Sequence, residues 1–216
     1  MRLRNNPKAN DILLEHDQLV VAHVTDYKGH WSDIFQNDHP IYIEVGMGKG
    51  DFIIENAKRY PNINFIGIEK YPSVLVCAVK KIDELEEYLP NLKLMREDAF
   101  NLNDVFEESE ISRIYLNFSD PWPKKKHAKR RLTSHTFLPI FENILKKEGQ
   151  LILKTDNRSL FEFSLISFQQ FGMNFNDVCL DLHHSEGYED NIETEYEQKF
   201  SPFGPIYRIV TTFKGE

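Results

Sequence analysis

The middle of the chain alternates between short apolar runs that close on a glycine or an acid and longer stretches with apolar residues on one helical face. "IYIEVG" (41–46) ends on glycine and reads as a buried strand. A helix is expected over 49–60, with Phe52, Ile53 and Ala57 together, and a second strand over 63–70. The stretch 73–89 carries an apolar stripe at Leu75, Ala78, Val79, Ile82, Leu85 and Leu89 and reads as a helix. Short strands follow at 92–98 and 113–118. A helix at 134–147 has Pro139 in its first turn, and a strand runs over 149–156. A helix at 158–172 is ended by Gly172, and late strands are placed at 175–182 and 206–213. Strand and helix in turn predict an α/β fold: a doubly wound, mostly parallel seven-stranded sheet with helices on both faces. Residues 1–39 lack this rhythm, with short helices expected only at "LLEH" and "DIF", so they read as an N-terminal extension to a single domain, 40–216.

Sheets of this kind bind ligands beyond the carboxyl ends of their strands. In this chain those ends carry acids: Glu44 with Gly46, Gly48 and Gly50, then Glu69, Asp98, Asp120 and Asp156. Glycines let backbone approach a ligand closely, but G-x-G-x-G is one residue shorter than the dinucleotide fingerprint. Glu69 is placed to accept from ribose hydroxyls, as for any nucleoside cofactor. Glu44 is expected to point an anion into the first turn, where it would repel a pyrophosphate and suit a cofactor with an ammonium and a sulfonium, S-adenosyl-L-methionine. Asp98 is placed to accept an adenine amino group, with the Ala99 backbone at the base edge. Asp120 stands at the mouth, where transferred group and acceptor meet.

After Asp120 comes "PWPKKKHAKRRL", with six Lys/Arg between Lys124 and Arg131 in a chain of net charge −8; removing those six leaves −14. A dense basic loop beside the reaction centre is suited to phosphates, because phosphate binding follows local charge. Trp122 either stacks on a base or plugs the core edge. Cys77 and Cys179 stand far apart without metal-ligand or disulfide spacing, which suits a reducing cytoplasmic setting, and no metal is expected. No apolar run approaches the roughly 20 residues of a membrane helix, and "MRLRNNPKAN" has no signal-peptide core behind it.

The stretch "SDPWPKKKHAKRR" resembles the signature of the bacterial tRNA (guanine-N7)-methyltransferases, with Ser119 where many members have proline. "EVGMGKGDF" resembles that family's cofactor turn, "TEYEQKF" (194–200) its substrate motif and "GPIYRI" (204–209) its late strand. The resemblance implies a Rossmann-like class I methyltransferase fold. It implies that Glu44, Gly46, Gly48, Glu69, Asp98, Ala99 and Asp120 line an S-adenosyl-L-methionine site, with Asp120 as the catalytic carboxylate. Lys124, Asp156, Thr194, Glu195, Tyr196 and Glu197 would hold the target nucleotide. Lys126, His127, Lys129, Arg130 and Arg131 would contact tRNA, with residues 1–39 packing on the domain or reaching the tRNA. The substrate would be a guanosine of the variable loop, and the enzyme a monomer or a homodimer.

That chemistry suits the residues. Guanine N7 has a free lone pair and no proton to lose, so no strong base is required, and carboxylates can stabilise the charge that develops on the purine. Other readings are an amino-methyltransferase, since "SDPW" resembles the Asp-Pro-Pro-aromatic motif, and a non-catalytic RNA-binding relic of the fold. A nicotinamide dehydrogenase fits poorly, because of Glu44 and the short glycine spacing. The acidic stretch 183–192 is expected to be a solvated loop that closes over substrate.

Overall fold

The computed structural model describes residues 6–214. Seven strands form one sheet: β1 (Ile41–Val45), β2 (Asn64–Ile68), β3 (Leu92–Met95), β4 (Ile111–Asn117), β5 (Leu145–Thr155), β6 (Asn174–Cys179) and β7 (Tyr207–Thr212). Their order is β3-β2-β1-β4-β5-β7-β6. β1 to β5 pair in parallel, and β7 runs antiparallel between β5 and β6. β1 is the switch point. The chain moves outward from it through β2 and β3, then returns to its other side as β4, which opens a crevice at the carboxyl ends of β1 and β4.

The eight α-helices among the described residues are α1 (Ala9–Leu14), α2 (Trp31–Phe35), α3 (Asp51–Arg59), α4 (Pro72–Asp83), α5 (Leu102–Val105), α6 (Leu138–Ile144), α7 (Arg158–Phe171) and α8 (Glu195–Phe200). On one face of the sheet Ile41, Ile43 and Val45 pack with residues of α2, α5, α6 and α7. On the other, α1, α3 and α4 cover β2 and β3 through Leu13, Ile53, Leu75 and Val79.

Several boundaries differ from the sequence reading. α4 stops at Asp83 rather than 89. Glu84, Glu86 and Glu87 would crowd the negative end of its dipole, and Pro90 disfavours helical backbone at the residue before it; Leu89 still reaches the core from the turn. α6 is confined to 138–144 because Leu145 already pairs with Ile111, which begins β5 four residues early. β3 ends at Met95, so Asp98 lies on the loop beyond it.

Residues 6–39 are more ordered than their pattern suggests. The backbone of Leu19 to Val21 bonds Leu94 on both sides and prolongs the sheet past β3. Trp31 is completely buried, donates from Nε1 to the Val105 carbonyl at 3.0 Å and packs on Phe106. No described helix is long and apolar enough to cross a membrane.

Candidate active site

The turn from β1 into α3 is built on glycine. Gly46 and Gly48 have φ of +79° and +60°, and open space lies where a Cβ would project from either. The amides of Gly46 and Met47 both donate to the Ile68 carbonyl, which binds the turn to the end of β2. Glu69, the next residue, accepts from the Gly48 amide at 3.2 Å and from the Tyr71 amide at 2.9 Å. Burial raises the Glu69 carboxyl above its ordinary range, opposed by those backbone donors.

Beside this turn lies an open cavity of about 600 Å³. Val45, Gly46, Glu69 and Val74 form one wall, Asp98, Ala99 and Phe137 another, and Phe118, Asp120, Trp122 and Arg130 the rim. Asp98 caps the short turn at Ala99–Asn101 through the Phe100 amide and takes Lys70 Nζ at 2.5 Å. Burial acts to raise the Asp98 carboxyl, but the bonds from Lys70 and Phe100 hold it below the usual range. Asp120 is exposed on the rim, three residues past the end of β4. Both Phe118 and Trp122 adopt left-handed backbone, φ 51° and 42°. For bulky residues that conformation is strained, and such strain gathers where a chain is held for function.

Glu44 is not in the turn. The two-residue period of β1 directs it to the α3 face, where it is 1% exposed and accepts from Asn117 Nδ2 at 2.8 Å. Its Oε2 has no partner. Burial raises its carboxyl to about 8, with Asn117 and Lys154 opposing. It therefore lies beneath the glycine turn and does not line the cavity.

An acid-walled cavity at the switch point of a doubly wound sheet, with glycines that leave room for a ligand, has the shape and charge of a nucleoside-cofactor site. A family model described as a putative methyltransferase matches residues 38–207. A tRNA (guanine-N(7)-)-methyltransferase of Bacillus cytotoxicus is 52% identical over 100% of this chain and 99% of its own. Its counterpart in Listeria monocytogenes is 53% identical over 99% of each chain. The chain belongs to the tRNA (guanine-N(7)-)-methyltransferase family. The fold is also that of an antibiotic-related methyltransferase, with 19% identity, a TM-score of 0.64 and coverage of 90% of this chain and 97% of that one. A 16S rRNA methyltransferase, KamB, superimposes with a TM-score of 0.64 at 12% identity over 87% of this chain and 94% of its own.

The family's basic loop forms a 3-10 turn at Lys125–Arg130. Lys124, Lys126, Lys129 and Arg130 are exposed, and none of the loop's Lys or Arg makes an ion pair among the described residues. Trp122 organises the turn, with Arg130 over its face at 4.9 Å and His127 against its edge at 5.8 Å. Arg131 departs from the expected role. It is buried, donates to the carbonyls of Pro121 and Trp122 at 2.9 and 3.0 Å, and packs on Phe163. It braces the Asp-Pro-Trp-Pro turn from within and leaves little surface for a phosphate.

The segment expected to hold the target nucleotide arches over the ends of β1, β4 and β5. Thr194 caps α8 in a capping box with Glu197. Glu195 pairs with Lys49 of the glycine turn at 2.7 Å. Tyr196 stands against Phe118 on the cavity wall and donates to Asp156 at 3.0 Å. Glu197 is fully buried, with its carboxylate bonded to Lys154, His183 and Asn191. The stretch 183–192 is a loop exposed at residues 184–187, 189 and 190, as expected, and it is anchored at its ends: Ile192 is buried with Phe52, Tyr115 and Val210, and His183 bonds Glu197 at 3.0 Å. Sequence patterning missed Asn117, Lys154 and Arg131 as internal organisers, because a polar residue in an apolar run carries no mark of its partner.

Proposed function

We propose that this enzyme transfers a methyl group from S-adenosyl-L-methionine to N7 of a guanosine in the variable loop of tRNA, in the cytoplasm. The observation that carries the reading is the cavity at the β1–β4 switch point, with Asp120 and Trp122 on its rim and the unpaired cations Lys124, Lys126, Lys129 and Arg130 beside it, in a chain of this family. The residues fit the cofactor: two glycines leave its backbone cradle open, and Glu44 has a buried oxygen without a partner beneath it.

S-adenosyl-L-methionine supplies an electrophilic methyl on a sulfonium. Glu69 and Asp98, both lining the cavity, would take its ribose and adenine, and Lys70 would then share or release Asp98. Guanine N7 would donate its lone pair as the carbon–sulfur bond breaks, so positive charge would pass from sulfur to the purine with no proton moved. Asp120, exposed on the cavity rim, would face that developing charge and would need to act only as a fixed anion. Asp156 and Tyr196, bonded to each other next to Phe118 of the cavity lining, would meet the entering base, and Trp122 would stack on it once Arg130 gives up that ring face. The exposed cations hold the tRNA backbone by charge.

The test is methyl transfer to an unmodified tRNA transcript, followed by nucleoside mass spectrometry. The expected product is 7-methylguanosine, and Asp120→Asn should reduce kcat by about 10²-fold or more, as loss of a charge-stabilising group does. A methylated adenine or cytosine amine, or near-normal turnover by Asp120→Asn, would overturn this reading.

A further inference from the structure

We propose that Lys154 is a positioning residue for methyl transfer: its buried ammonium clamps residues 191–197 onto β5 and holds the guanosine-binding segment beside the cavity, where Tyr196 meets Phe118. The inference deepens the tRNA methylation reading and rests on it.

Lys154 is 3% exposed, yet its Nζ has a full set of acceptors. These are Glu197 Oε2 at 2.6 Å, the Ile192 carbonyl at 2.8 Å and Asn191 Oδ1 at 3.1 Å. All three lie on one stretch of chain. Glu197 is satisfied in turn: Oε1 accepts from His183 and from Asn191 Nδ2 at 2.8 Å, and Oε2 also receives the Thr194 amide. A buried network with every member paired has few alternative arrangements, which rigidifies what it joins.

Beside the packing of Ile192 on Phe52, Tyr115 and Val210, the side chains of Glu195, Tyr196 and Glu197 each tie the segment down, and these ties are not equivalent. Glu195–Lys49 and Tyr196–Asp156 are exposed or half-buried, and both use groups expected to meet the nucleotide. When a base enters, those bonds are exchanged for bonds to substrate. Lys154–Glu197 is sealed from solvent and stays. It therefore maintains the segment's position while the other two ties re-pair. Without it only the packing of Ile192 would stay in place, more of the segment's ordering would fall to the tRNA itself, and apparent affinity would fall with the fraction of molecules that remain competent.

Removing Lys154 alone would strand a buried carboxylate and risk unfolding. The decisive variant is Lys154→Met combined with Glu197→Gln, which removes both charges at similar volume. If the clamped fraction falls to a tenth, KM for an unmodified tRNA transcript should rise about tenfold, with kcat at saturating tRNA within about threefold of wild type. Affinity for S-adenosylhomocysteine should be unchanged, and hydrogen exchange should accelerate in 188–197 alone. A folded double variant with wild-type KM for tRNA would overturn the proposal. So would parallel losses of tRNA and S-adenosylhomocysteine binding, which would mean general loosening. Should the double variant not fold, Asn191→Ala removes one acceptor of Lys154 and one donor to Glu197; it should raise KM in the same direction, and an unchanged KM would again refute the clamp. Wild-type enzyme is assayed alongside for 7-methylguanosine. If that product is missing, the functional reading falls, while filter binding of tRNA and exchange in 188–197 still judge the clamp.

Discussion

Replacing Glu44 by Gln should stabilise the cofactor-free protein in a pH-dependent way. Glu44 is sealed inside the sheet with one hydrogen bond from Asn117, and its carboxyl is raised from 4.5 to about 8. Below pH 4.5 it is neutral in both folded and unfolded chains, so its titration does not affect stability. Between 4.5 and about 8 the unfolded chain releases the proton while the folded one retains it, so stability falls as pH rises. The slope is about 1.4 kcal/mol per pH unit, which makes the loss on the order of 3 kcal/mol at pH 7. Above the folded pKa the loss is constant. Glu44→Gln mimics the protonated form and removes the penalty. Urea unfolding of both proteins from pH 5 to 9 should give curves that diverge up to about pH 8 and then run parallel. A difference that stays flat across pH 5 to 8 would refute the argument, since it would mean that Glu44 ionises when folded much as it does when unfolded. A cation bound above Glu44 would favour its carboxylate. Titration with S-adenosyl-L-methionine at pH 7 in buffers of different ionisation enthalpy should therefore show proton release in the wild type and none from this site in Glu44→Gln.

Three further outcomes follow from the geometry. Changing Lys126 and Lys129 together to Ala should lower the slope of log affinity for tRNA against log salt by about one to two, with S-adenosylhomocysteine binding unchanged. Arg131→Ala should leave that slope alone but cost about 2 kcal/mol in thermal unfolding, because it loses two charge-assisted bonds to Pro121 and Trp122 and its packing on Phe163. Trp31→Ala should destabilise the whole domain by about 3–5 kcal/mol, measured by urea unfolding, because that side chain is wholly buried against Phe106.

The order of strands and helices was legible in the chain because a buried parallel strand must be an apolar run and a helix on a sheet must carry an apolar stripe. The position of the site followed, since a doubly wound sheet leaves its crevice at the carboxyl ends of its strands, and Glu69, Asp98, Asp120 and Asp156 all stand there or on the loop just beyond. The basic loop announced itself through local charge. Residues 6–39 were less legible, because their anchors, Leu13, Val20 and Trp31, are single side chains without a period, and each finds its place only against β3, α4 or α5. Charge type was equally silent about direction. Arg130 and Arg131 are neighbours, yet one covers Trp122 on the outside and the other bonds the Pro121 carbonyl from within. Glu195 and Glu197 share a motif, yet one meets Lys49 at the surface and the other is sealed against Lys154. By itself the sequence determined the sheet and its crevice, because those depend on local periodicity, while the kind of ligand came through the resemblance of "SDPWPKKKHAKRR" to a family signature. Only the tertiary structure decided which charged side chains face the ligand and which are internal braces, because a charge can be buried only where a partner from a distant element meets it.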